Sequence, residues 1–136
     1  MDVIKENLKA NDILKQTFGF SSFRNGQEEI VKNILNGKQT LAIMPTGAGK
    51  SLCYQIPAIL SEKKTVVISP LISLIENQVA DLRENGVKVE KLHSNQSSQN
   101  RATSWDNFKE GDCKILYISP ERLMTESMIN DLKQLD

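Results

Sequence analysis

The sequence predicts an α/β domain, a parallel β-sheet covered by helices on both faces. Three observations lead there. Strand-like and helix-like stretches alternate four times along 136 residues, the pattern of β-α units feeding one sheet. Residues 65–69 and 113–118 are apolar without clean polar alternation, as strands buried on both faces are. The run Leu41-Ala42-Ile43-Met44 breaks into the turn Pro45-Thr46-Gly47-Ala48-Gly49 and meets Lys50-Ser51, the strand, turn and helix order of a phosphate loop.

Residues 1–18 read as two short helices, with Asn11 and Asp12 as caps between them. Gly19 and Ser21-Ser22 mark the turn out of them. A helix follows from Asn25, with Ile30, Val31, Ile34 and Leu35 on one face, and stops at Asn36-Gly37. A helical segment, residues 1–37, therefore precedes the first strand, which centres on Ile43 and is expected to be buried. After the loop a helix carries Leu52 to about Leu60, and residues 65–69 form the second strand. Leu71, Leu74, Ile75, Val79 and Leu82 keep helical spacing to a stop at Asn85-Gly86. Residues 87–93 alternate weakly as a third strand. The polar run 94–98 leads to a helix with Ala102, Trp105 and Phe108 facing inward, ended near Gly111. Residues 113–118 are the fourth strand, and residues 121–135 are helical with a break near Ser127. No repeat or low-complexity linker divides residues 1–136, which read as a single domain.

Composition narrows the function classes. Hydrophobic content of 39% and charged content of 25% are those of a soluble globular chain with a real core. No stretch approaches the about 18 apolar residues of a membrane span, and Met1-Asp2-Val3-Ile4-Lys5-Glu6 lacks the apolar centre of a signal peptide. Cys53 and Cys113 have no metal-ligand spacing and read as reduced thiols of an intracellular protein. Seventeen basic and seventeen acidic residues cancel, so composition alone lends no support to a nucleic-acid partner.

The phosphate loop carries the clearest chemistry. Gly47 and Gly49 let the backbone turn tightly and aim N–H groups into one concavity. A helix starting near Gly49 adds free N–H groups and the positive end of its dipole. Lys50 reaches the β- and γ-phosphates, and the Ser51 hydroxyl ligates Mg²⁺. Met44 stands where the general pattern has its first Gly. Upstream, Gln27 can bond adenine N6 and N7 bidentately, while Phe20 and Arg24 can lie on the base's flat face. By residue type alone, three phenylalanines near a helix start are more often core, and Gln27 is more often a solvated first-turn residue. Ser69-Pro70-Leu71 and Ser119-Pro120-Glu121-Arg122 each lead a strand into a helix. Hydroxyls and free N–H groups there suit phosphodiester oxygens, and capping explains the same residues. His93, the only histidine, reads as structural or exposed, and Trp105 as core. No strand ends in the acidic pair that would hold Mg²⁺ and position an attacking water.

Together these stretches resemble the N-terminal, RecA-like motor lobe of the RecQ-family DNA helicases. Phe18-Gly19-Phe20 with Phe23-Arg24-Asn25-Gly26-Gln27-Glu28-Glu29-Ile30 is similar to the family's adenine motif. Residues 44–58, from Met-Pro-Thr-Gly-Ala-Gly-Lys-Ser to Ile-Pro-Ala, are similar to its phosphate-loop signature, Met included. Ser69-Pro70-Leu71-Ile72-Ser73-Leu74 with Gln78-Val79, and Tyr117 to Leu123, resemble its two single-strand contact motifs, the whole resemblance covering about residues 14–125.

The resemblance implies an ATP-binding lobe of an ATP-driven, 3′-to-5′ DNA-unwinding enzyme, with ATP and Mg²⁺ as cofactors. It implies that Phe20 stacks on adenine, that Arg24 and Gln27 hold the base, and that residues 44–51 (Met44, Pro45, Thr46, Gly47, Ala48, Gly49, Lys50, Ser51) cradle the phosphates. Lys50 and Ser51 are the catalytic residues present. Ser69, Pro70, Leu71, Gln78, Ser119, Pro120, Glu121 and Arg122 are expected along single-stranded or duplex DNA, and Asn77 stands where the family often has Asp. The family's Asp-Glu-Ala-His motif is expected soon after residue 136, followed by the second motor lobe with its arginine finger. The chain thus reads as part of a helicase that binds ATP and DNA weakly and does not turn ATP over alone. It is expected in the nucleoid-containing cytoplasm of a bacterium or the nucleus of a eukaryote. A non-catalytic nucleotide- or DNA-binding module from a truncated paralogue is the alternative. A small phosphate-loop kinase is disfavoured by the Ser-Pro turns and the upstream Gln motif.

Overall fold

The computed structural model describes residues 3–45, 47 and 49–135, with side chains from residue 9 onward. The chain forms two compact units, residues 1–61 and 62–136.

The first unit is helical. α1 spans Val3–Gln16, α2 Gln27–Leu35 and α3 Lys50–Leu60. α1 runs unbroken through Asn11 and Asp12, where sequence reasoning placed caps. The cause is packing: Ala10 and Leu14, one turn apart on the same face, bury against Val31 and Ile56, and that burial outweighs the weak helix preference of Asn and Asp. Phe18, Phe23, Leu35, Leu52 and Leu60 border the same cluster. α2 stops where expected, with Asn36 as cap and Gly37 at φ 73°.

The expected first strand is corrected. Residues 39–45 are neither helix nor strand, and Leu41 and Ile43 are 87% and 89% exposed. Strand identity comes from a paired ladder rather than from an apolar run, and the strand pairing described involves only residues 65–68, 89–92 and 115–118.

The second unit is α/β. β1 (Thr65–Ile68), β2 (Val89–Leu92) and β3 (Ile115–Ile118) form a parallel sheet in the order β1-β3-β2. The register pairs Val66 with Leu116 and Leu92 with Ile118. On that face Leu92, Leu116 and Ile118 pack with Phe108 of α5 (Ser98–Glu110) and Met128 of α7 (Glu126–Lys133). Fully burying a side chain such as Phe108 is worth about 1.5–3 kcal/mol. The other face carries Lys91 and Tyr117, and α4 (Ile72–Glu84) lies there, its Glu76 paired with Lys91 and its Ile75, Val79 and Leu82 buried. Helices thus flank both faces, as predicted, but β1, expected to be buried on both faces, leaves Val66 and Ile68 37% and 55% exposed. Lys64 fastens the start of β1 to the end of α5: Nζ donates to the carbonyls of Phe108 and Cys113 and lies 4.8 Å from the Phe108 ring centre.

Two details differ from expectation. Ala102 faces solvent, because the inward positions of α5 are Ser104, Trp105 and Phe108. The terminal helix breaks at residues 124–125, between α6 (Pro120–Leu123) and α7, because Thr125 caps α7 by accepting the Met128 N–H at 3.4 Å. Among the described residues no helix is long and apolar enough to cross a membrane.

Candidate functional site

The phosphate-loop residues lie in the first unit. Gly47 and Gly49 adopt φ 84° and 75°, left-handed values that only glycine takes without strain. Gly49 caps α3 without a side-chain hydrogen bond, and the first turn of α3 holds no acidic residue. Its leading N–H groups and positive dipole end therefore face no carboxylate of their own helix. α2 differs, with Glu28 and Glu29 in its first turn. Lys50, the first residue of α3, is exposed, and Ser51 follows it half-buried. This donor set fits a triphosphate: the helix start and Lys50 for phosphate oxygens, the Ser51 hydroxyl for Mg²⁺. Met44 is half-buried, its sulfur 4.0 Å from the Cys53 sulfur, and Pro45 is exposed. Thr46 and Ala48 lie outside the described residues.

The structure brings the upstream motif onto this loop. Arg24 Nη1 donates to the Gly47 carbonyl at 3.1 Å, and Gln27 Nε2 donates to the Gly49 carbonyl at 3.1 Å. Gln27 Oε1 accepts the Arg24 backbone N–H at 2.8 Å. Gln27 is only 2% exposed, so the amide foreseen at an adenine edge is turned to the loop. Phe20 is 45% exposed, its backbone held to the end of α1 by a bond to the Leu14 carbonyl.

The remaining predicted residues lie in the second unit, all but Gln78 in the turns and helix starts after β1 and β3, and Gln78 in the middle of α4. The Ser69 N–H donates to the Ile118 carbonyl and the Ser119 N–H to the Leu92 carbonyl, each at 3.1 Å. The Ser69 hydroxyl and Nε of Arg122 are buried without a hydrogen-bond partner, while the Ser119 hydroxyl lies against the Glu121 carboxyl and helps lower its pKa. Buried orphan donors are rare, and these two lie directly after β1 and in the helix that follows β3, on the side of the sheet where ligands gather in α/β folds. Pro70, Leu71 and Glu121 are exposed, while Gln78 and Pro120 are half-buried. The Glu121 carboxyl is held below its ordinary range, first by its own backbone N–H.

Sequence reasoning missed the network after β2. Glu76 accepts from Lys91 at 2.5 Å and from His93 Nε2 at 2.6 Å. His93 Nδ1 accepts the Asn95 N–H at 3.2 Å, and Gln96 bonds both the His93 N–H and the Lys91 carbonyl. The spacing of Lys91 and His93 on one strand face was the available signal. A cleft of about 690 Å³ opens at the other end of this unit, by Arg83, Lys88, Glu90 and Asp112. Its charges pair with one another, Arg83 with Glu90 and Lys88 with Asp112.

The DEAD/DEAH box helicase family matches residues 24–136. The chain is 47% identical over 124 residues to ATP-dependent DNA helicase RecQ of Haemophilus influenzae, covering 91% of this chain and 20% of that protein. It is 48% identical over 121 residues to the Pasteurella multocida RecQ, covering 89% and 19%. With the Bacillus subtilis RecQ it shares 44% identity over 129 residues, covering 94% and 22%. The chain spans about a fifth of the length of these relatives.

Proposed function

Because the chain belongs to the DEAD/DEAH box helicase family, we propose that it is the ATP-binding motor lobe of a RecQ-type, ATP-dependent 3′-to-5′ DNA helicase. One observation carries the reading: two left-handed glycines, each held through its carbonyl by a side chain of residues 24–27, lead into a helix start that opens with Lys50 and Ser51 and bears no carboxylate. In this reading residues 44–51 cradle the triphosphate of ATP, Lys50 neutralises the outer phosphates, Ser51 holds Mg²⁺, and Phe20 stacks on the adenine, with Arg24 and Gln27 beside it. Bound ATP supplies the free energy for unwinding.

The DNA track is assigned to the segments after β1 and β3 in the second unit, Ser69, Pro70, Leu71, Ser119, Pro120, Glu121 and Arg122, with Gln78 of α4. The orphaned donors of Ser69 and Arg122 support it, since a phosphodiester oxygen is the acceptor they lack. A second motor lobe is its partner, and the protein works with cellular DNA, in the nucleoid or the nucleus. Alone, the lobe binds both ligands weakly without turnover. The test is a pair of titrations, a fluorescent ATP analogue with Mg²⁺ and a labelled single-stranded oligonucleotide. Saturable binding of both supports the reading. Binding of neither at millimolar protein overturns it.

A further inference from the structure

We infer that Gln27 and Arg24 are positioning residues for the phosphate loop, setting the direction of its peptide groups independently of any base. The inference rests on the nucleotide reading above and adds a duty that the adenine motif does not require.

The argument begins with peptide geometry. In a trans peptide the C=O and the following N–H point in opposite directions. Gln27 Nε2 holds the Gly49 carbonyl at 3.1 Å, so the Lys50 N–H of the same peptide group points the opposite way, out from Gln27. Glycine backbone has little steric preference to keep that peptide from flipping, and a flip would present a carbonyl oxygen to an incoming phosphate. As N-cap, Gly49 also gives its carbonyl to the first turn of α3, and the side-chain amide adds a second restraint that does not depend on the helix. Arg24 Nη1 does the same for the Gly47 carbonyl at 3.1 Å.

The donor is itself fixed. Gln27 Oε1 accepts the Arg24 backbone N–H at 2.8 Å, which closes the turn into α2 and orients the amide. At 2% exposure no water competes for either bond. A Cβ at position 49 would displace the Gln27 amide, and φ 75° there disfavours any side chain, so glycine keeps the amide in place.

The test uses a ligand with no base. Binding of inorganic triphosphate with Mg²⁺, and of ATP with Mg²⁺, is measured by calorimetry for the parent chain and for Gln27→Leu, which fills the volume but offers no hydrogen bond. Losing the restraint should weaken triphosphate about three- to tenfold, the range of one hydrogen bond, and weaken ATP at least as much. Arg24 is exposed, so its variants test the same point without risk to folding. Arg24→Gln and Arg24→Leu both lose the charge but only the first keeps a donor, and it should bind triphosphate more tightly. The inference is overturned if Gln27→Leu loses ATP affinity alone, or if the two Arg24 variants bind triphosphate equally. A parent chain that binds neither ligand overturns the nucleotide reading, and this inference with it.

Discussion

His93 donates from Nε2 to a carboxylate oxygen of Glu76 at 2.6 Å while its Nδ1 accepts the Asn95 N–H. The pair joins the end of β2 to the middle of α4 and fixes the imidazole with its hydrogen on Nε2. Glu76 also takes Lys91 at 2.5 Å, so one carboxylate holds two residues of the same strand face.

That geometry sets a pH dependence. The Glu76 carboxyl is held below its ordinary value of 4.5, chiefly by the hydrogen bond from Lys91, with burial opposing and His93 adding. A carboxyl whose folded pKa is depressed stabilises the fold above its unfolded value and loses that contribution as pH falls through the folded one. The Glu76 side chain is 43% exposed, so solvent screens the pair. Glu76→Gln should cost about 0.2–1 kcal/mol at pH 7, and the difference should be smaller at about pH 3, where the carboxylate of the unfolded chain is largely protonated. Denaturant midpoints at both pH values check this, and a gap independent of pH contradicts it.

Phe20 is exposed enough to give up without harming the fold. Phe20→Ala should leave the melting temperature near the parent's and weaken ATP by the worth of one base stack, about 1–3 kcal/mol, while inorganic triphosphate binds unchanged. Equal losses for both ligands would mean that the ring acts on the loop and not on the base.

The buried hydroxyl of Ser69 has no partner, and an unsatisfied buried donor is a burden of about 1–3 kcal/mol. Ser69→Ala should therefore be as stable as the parent or slightly more so, while its affinity for single-stranded DNA falls. Thermal melts and oligonucleotide anisotropy measure the two. Undiminished DNA binding would remove Ser69 from the proposed track.

Much of this was legible in the sequence, and the misses share a cause. β1 and β3 were readable because their residues are apolar on both faces, and α4 because Ile75, Val79 and Leu82 keep a helical period that the structure buries. Leu41 and Ile43 looked the same and are exposed, since composition reports a preference for burial but not whether a neighbouring strand supplies the ladder. Gln27 was found by its type, but its partner was not. An amide offers both a donor and an acceptor, and only the fold shows that both atoms of this one are engaged by its own chain. Local patterns of that kind carry no information on contacts made 22 residues away.

β1 and β3 run into Ser69-Pro70 and Ser119-Pro120 rather than into carboxylates. The chain alone should release phosphate from ATP at background rate, with or without single-stranded DNA. An arginine finger, where phosphoryl transfer uses one, is worth about 10³–10⁵ in rate. Release stimulated by DNA and abolished in Lys50→Ala would contradict this. Exposed Glu121, just beyond β3, would then be the acidic group to remove next.

The central claim is that the start of α3 is a triphosphate site, and equilibrium binding tests it most directly. The parent chain and Lys50→Ala are titrated with a fluorescent ATP analogue in Mg²⁺ under identical conditions. Lys50 is exposed, so the variant keeps the fold. Loss of one charge-assisted contact to phosphate should weaken binding by about 1.5–3 kcal/mol, roughly ten- to a hundredfold. Equal affinity in the two proteins would contradict the account.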